Sequence, residues 1–102
     1  MTKFLVKWKT EPFFNLSREE RMQLFIKMAE STKADMDSGL ITDWGVDAGT
    51  GSGYAIGEGT ETEVYESCMK YRPYISMEVT PVISLKKHLE TLKKMSSQVK
   101  SE

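Results

Sequence analysis

The chain has 102 residues, enough for one domain that buries a single hydrophobic core. Its formal net charge of -1 provides no global field that would attract nucleic acid or an anionic membrane surface. The one cysteine, Cys68, excludes an intramolecular disulfide and fits a reducing compartment, and the absence of a long apolar run predicts a soluble, cytoplasmic protein without a signal peptide.

A strand and a long helix are predicted at the start of the chain. Apolar and polar residues alternate over 4–8, which predicts a first strand that Pro12 ends. Ser17 and Glu20 then form a capping-box sequence, and apolar residues recur at helical spacing. We expect the helix to stop at Gly39, where a left-handed residue can terminate it.

The middle of the chain predicts a hairpin. Alternation over residues 41–48 indicates a second strand, a glycine-rich run follows at 49–53, and residues 54–56 indicate a third strand. A phosphate-binding loop is the alternative for the glycine run. That alternative is disfavoured because no helix and no lysine follow the glycines, as phosphate-binding loops require.

A helix, a strand and a terminal helix complete the predicted order. Thr60 and Glu63 form a second capping box, and Pro73 ends the helix that it opens. Residues 74–80 alternate as a fourth strand, which Pro81 is expected to break. A last amphipathic helix, capped by Ser84, is predicted over about 84–98.

This order of elements predicts one ferredoxin-like domain over residues 1–102. Right-handed crossovers turn the βαββαβ order into a four-stranded antiparallel sheet with two helices on one face, to which the C-terminal helix is added. The strand residues expected beneath the helices are Phe4, Val6, Trp8, Trp44, Val46, Tyr54, Ile56, Ile75, Met77 and Val79. Those expected on the opposite, open face are Leu5, Lys7, Ile41, Asp43, Gly45, Ala55, Gly57, Ser76 and Glu78.

The chain resembles the dimeric α/β-barrel superfamily, and within it the muconolactone isomerase type. The resemblance rests on an opening strand like residues 4–7, a closing strand like residues 73–79, and a tryptophan and a glycine-flanked tyrosine like Trp44 and Tyr54. It also extends to small uncharacterised prokaryotic members of the superfamily. The resemblance implies a homodimer whose open sheet faces enclose a cavity, into which Lys7 and Glu78 would point.

Lys7 and Glu78 are the predicted catalytic pair, because the first and last strands are neighbours in this fold. The lysine would orient a substrate carboxylate, and the glutamate would move a proton next to a carbonyl, without a cofactor. A cross-strand ion pair that sets register is the structural alternative. His88, on the terminal helix, is a third candidate for proton transfer. The residues predicted to line the ligand cavity with this pair are Leu5, Ile41, Asp43 and Ser76.

The predicted function is binding of a small organic molecule between two sheets, with a cofactor-independent isomerase or monooxygenase as the enzymatic version. A non-enzymatic ligand-binding or structural oligomer module is the alternative. An RNA-binding domain of the same topology is disfavoured, because residues 53–56 only partly match its aromatic strand motif and the chain lacks a basic footprint. No metal site is expected, since no spacing of His, Asp or Glu indicates one.

Overall fold

The computed structural model describes residues 2–12 and 15–100. The sheet has the strand order β2-β3-β1-β4, and every neighbouring pair is antiparallel. This confirms the predicted ferredoxin-like α+β fold with an added C-terminal helix. The elements in chain order are β1 (Thr2–Thr10), α1 (Arg18–Asp37), β2 (Ile41–Val46), β3 (Ser52–Gly59), α2 (Glu61–Met69), β4 (Ile75–Val82) and α3 (Leu85–Lys100).

Both predicted capping boxes are present. The Ser17 hydroxyl accepts from the Glu20 amide and the Glu20 carboxylate accepts from the Ser17 amide, each at 3.1 Å. Thr60 and Glu63 repeat the arrangement at the start of α2. The amide donors favour the charged carboxylate, so the pKa of both glutamates is lowered. Gly39, with φ of 86°, follows the end of α1 as predicted.

The prediction that Pro81 breaks the fourth strand is wrong. Strand β4 continues to Val82, and Pro81 pairs with Phe4 of β1. Within the described sheet β4 is an edge strand, where a residue without an N–H donor is tolerated. The second strand is shorter than predicted, because β2 ends at Val46 instead of residue 48.

The buried core lies between the sheet and α2. Phe4 is 3% exposed and clusters with Val64 and Cys68 of α2, and the half-buried Met77 of β4 packs against this cluster. Phe4 therefore links the central strand β1 to a helix and to the edge strand. We expect this cluster to contribute much of the apolar burial that stabilises the domain.

Polar contacts join α1 to α2. The carboxylate of Asp35, only 9% exposed, accepts from the Ser67 hydroxyl at 2.9 Å and from the Lys70 ammonium at 2.8 Å to each oxygen. One turn earlier, the Thr32 and Tyr71 hydroxyls are 3.1 Å apart. The C-terminal half of α1 is thus held against α2 and the turn that follows it by paired polar groups, which a buried charge requires.

The faces of β3 are opposite to the prediction. Tyr54 pairs with Lys7 and Ile56 pairs with Leu5, so both lie on the open face, and Ala55 and Gly57 lie beneath the helices. The reason is size complementarity across the strand pair. Each large helix-side residue of β1 faces a small residue of β3, in the pairs Phe4 with Gly57, Val6 with Ala55 and Trp8 with Gly53.

A register irregularity in β2 changes the position of Ile41. Ile41 pairs with Gly57 and Asp43 pairs with Ile56, so the two residues face opposite sides although they are two positions apart. Ile41 therefore lies on the helix side, and its predicted place on the open face is wrong. Trp44 pairs with Ala55 and lies on the helix side, as predicted.

Helix α3 extends from the rest of the domain. All of its residues are exposed, and the described chain measures 66 Å along its longest axis. The Ser84 hydroxyl accepts from the Lys87 amide at 3.2 Å, in line with the predicted cap. The large apolar side chains that α3 leaves exposed are Leu85, Leu89, Leu92, Met95 and Val99. Among the described helices, none has the length and apolar character needed to cross a membrane.

Candidate functional site

An apolar cleft of about 340 Å³ lies between the helices and the sheet. We call it the sheet–helix cleft. Phe25 is 37% exposed and Val46 is 55% exposed, so the cleft is partly open to solvent. The described residues that line it include no Asp, Glu, Lys, Arg or His. Its largest lining side chains are Trp8, Phe25, Met28, Trp44, Tyr71 and Met77.

A stacked tryptophan pair lines the sheet side of the cleft. The rings of Trp8 and Trp44 have centroids 5.4 Å apart and an interplanar angle of 13°. The Trp8 indole donates to the Tyr54 carbonyl at 3.3 Å, and the ring covers Gly53. These are the two tryptophans of the chain, so tryptophan emission reports on this site alone.

Cys68 lines the cleft on the helix side. The thiol is buried, and burial raises its pKa, while the nearby Arg72 charge lowers it by a smaller amount. The neutral thiol is therefore favoured near neutral pH. Because the thiolate is the reactive form, the arrangement favours an apolar, packing role for this side chain.

Lys7 and Glu78 are directly opposite each other in the register of β1 and β4, as the predicted strand order implies. Both side chains are exposed on the open face. The ion pairs of the described residues do not include one between them. The two residues thus occupy neighbouring positions, as proton transfer or substrate orientation would need, but no ion pair joins their side chains.

A second polar group on the open face was not anticipated. The Tyr54 hydroxyl donates to the Asp43 carboxylate at 3.0 Å, and this hydrogen bond raises the pKa of Tyr54. The ring lies against Gly45, where an added Cβ would stand 2.5 Å from the Tyr54 Cε1. A glycine opposite a tyrosine in the hairpin is the sequence signal that could have revealed this contact.

The other predicted site residues are distributed over three places. Leu5 and Ser76 are half-buried and Asp43 is exposed, all on the open face with Lys7 and Glu78. Ile41 lines the sheet–helix cleft instead. His88 is exposed on α3. Within the described residues, no group of three His, Cys, Asp or Glu side chains could hold a metal ion.

Comparison with known proteins identifies a family but no activity. No curated protein matches the chain. The model of a domain of unknown function, DUF3303, matches residues 2–96 and so covers most of the sequence. The match includes the whole sheet, both helices that cover it and most of α3. The chain therefore belongs to the DUF3303 family.

Proposed function

We propose that this domain binds a small, neutral organic molecule in the sheet–helix cleft. The observation that carries the proposal is a cleft of about 340 Å³ whose described lining is mainly apolar and aromatic and includes no charged side chain. Ligand pockets in proteins commonly measure about 300–1,000 Å³ and have mainly apolar and aromatic walls with few polar groups. The Trp8 and Trp44 rings offer flat surfaces against which an aromatic or aliphatic ligand can pack.

The exposed apolar walls of the cleft support an occupant. The cleft is partly open, so its apolar and aromatic lining is in contact with water. A ligand that covers this lining removes apolar surface from water and adds packing contacts, and both effects favour binding.

Binding is expected to be visible through the two tryptophans. N-phenyl-1-naphthylamine, a neutral aromatic probe, should quench tryptophan emission by energy transfer when it enters the cleft. Replacing Ala29 of α1, which lines the cleft, with phenylalanine should fill the space and weaken probe binding by roughly tenfold or more, equivalent to about 1.4 kcal/mol. The measurement is a fluorescence titration of the parent chain and the variant.

Ala34 provides the matched control. It lies on the same helix, is exposed and is not part of the cleft lining. Ala34→Phe adds the same side chain and should leave the probe affinity unchanged. Equal probe affinities for Ala29→Phe and Ala34→Phe, or no quenching in the parent chain, would contradict binding in the cleft.

A homodimer built through the open faces is the second candidate function. Leu5 and Ile56, paired across β1 and β3, form a half-buried apolar patch beside Lys7 and Glu78. Covering this patch with the same patch of a second copy would remove apolar surface from water and enclose the charged pair. Together with the resemblance to the muconolactone isomerase type, this supports an inter-sheet cavity and a cofactor-independent isomerase or monooxygenase.

The mass in solution tests the dimer. We expect a dimer at micromolar concentration in sedimentation equilibrium, and Ile56→Lys should dissociate it by placing an unpaired charge in the interface. Val79→Lys adds a charge to the exposed helix-side surface and should leave the dimer intact. A monomeric parent chain would contradict this candidate.

Lys7→Met and Glu78→Gln then separate an active pair from a structural one. An active pair predicts that both changes reduce the melting shift produced by a bound ligand or substrate. A structural pair predicts an unchanged melting shift and a lower stability of the variants without ligand. That result would contradict the enzymatic version of the proposal.

A further inference from the structure

On the helix side of the cleft, the hydroxyl protons of Thr32 and Ser67 already form hydrogen bonds with other groups of the protein. The Thr32 hydroxyl donates to the Met28 carbonyl at 3.0 Å. The Ser67 hydroxyl donates to the Asp35 carboxylate at 2.9 Å. Each hydroxyl has a single proton, so neither Thr32 nor Ser67 has a donor left for a ligand.

The direction of the Thr32–Tyr71 hydrogen bond follows from this accounting. The two oxygens are 3.1 Å apart, and either could donate if the pair were considered alone. Because the Thr32 proton is committed to Met28, Tyr71 must be the donor. The Tyr71 oxygen therefore offers a ligand only acceptor lone pairs, and both side chains line the cleft.

We propose that the sheet–helix cleft selects neutral apolar ligands that carry a hydrogen-bond donor, such as an alcohol, over ethers of the same size and over carboxylates. The inference rests on the proposed cleft function and specifies its ligand class. An ether oxygen placed beside Thr32 and Tyr71 would face only acceptors and would lose its hydrogen bonds to water without replacement.

Carboxylate ligands are disfavoured because the described part of the cleft offers no partner for their charge. The described cleft lining has no cationic side chain. The ammonium of Lys70, the residue that follows α2, is bound by both oxygens of Asp35. A carboxylate ligand would therefore be desolvated without a partner for its charge, which is far more costly than burying a neutral hydroxyl.

A pair of isomeric ligands tests the selection. 1-Octanol and heptyl methyl ether have the same atoms and nearly the same shape, and both are transparent where tryptophan absorbs. Their binding is measured by the change in tryptophan emission and by displacement of N-phenyl-1-naphthylamine. We expect 1-octanol to bind about 3–10-fold more tightly, the effect of one hydrogen bond, and octanoate to bind more weakly than both.

Thr32→Val should remove the preference. Valine has nearly the shape of threonine but cannot accept, so the Tyr71 proton becomes free to donate to the ether, whose affinity should rise about 3–10-fold towards that of 1-octanol. Thr32→Ser keeps the hydroxyl and should keep the parent preference. If Thr32→Val does not fold, Tyr71→Phe serves instead, and it should lower 1-octanol affinity while leaving the ether affinity unchanged.

The outcomes separate this inference from the proposed function. Failure of the naphthylamine and of both isomers to bind would contradict the cleft function itself. Probe binding with equal affinity for the alcohol and the ether, or a preference that persists in both Thr32→Val and Tyr71→Phe, would overturn the donor selection and leave the cleft function standing.

Discussion

Replacing Phe4 with alanine is expected to lower the free energy of unfolding by about 3–5 kcal/mol. Phe4 is 3% exposed, and it contacts the cluster formed by Val64 and Cys68 of α2. Its pairing partner on β3 is Gly57, which has no side chain to move into the space that the ring leaves. The local structure therefore has little capacity to collapse, so we expect the cost typical of truncating a fully buried phenylalanine.

Chemical denaturation at a fixed protein concentration measures this loss, since an associating chain has a concentration-dependent stability. Leu85→Ala is the control, because Leu85 is 79% exposed on α3 and its truncation should change stability by no more than about 0.5 kcal/mol. A loss below about 1 kcal/mol for Phe4→Ala would show that the core cluster does not hold the sheet to α2.

Gly53→Ala is expected to destabilise the domain by about 1–3 kcal/mol, although it adds a single methyl group. A Cβ at this position would collide with the Gly45 carbonyl oxygen and would stand 2.6 Å from the Cζ2 of Trp8. The first contact is with backbone, so it can be relieved only by separating β2 from β3. The second would tilt Trp8 and disturb its stacking on Trp44.

Two measurements check this prediction. Denaturation reports the loss of stability, and a change in tryptophan emission in the folded state reports the displaced ring. Gly49→Ala is the matched control in the adjoining turn, where the nearest atom to an added Cβ is the Asp47 Oδ1 at 3.8 Å. Similar effects of the two substitutions would contradict the close packing of the hairpin against Trp8.

The proposed ligand sites in the sheet–helix cleft and on the open face differ in charge. The sheet–helix cleft has no charged group in its described lining and supports non-enzymatic binding of a neutral molecule. The open face presents Lys7 and Glu78 and supports acid–base chemistry once a second copy excludes water from it. An alcohol that binds the parent chain and the Glu78→Gln variant equally would assign the ligand to the cleft.

Local interactions made several features predictable from sequence. Ser17 with Glu20 and Thr60 with Glu63 determine the two helix starts, because a capping box involves residues only three positions apart. Gly39 determines the end of α1 for a similarly local reason. The order of these elements then limits the fold, since short right-handed connections leave few topologies.

The sequence by itself therefore determined the two capped helix starts, the end of α1, the element order and the adjacency of Lys7 and Glu78, whereas α2 ends at Met69 and not at Pro73 as predicted. Only the tertiary structure decided that Tyr54 and Ile56 face away from the helices, because large residues on β1 select small partners on β3. Only tertiary structure brings Thr32 and Tyr71 within 3.1 Å, 39 positions apart in the chain, and so sets the direction of their hydrogen bond. Such contacts depend on packing between distant segments, which alternation of residue types along one strand or helix does not encode.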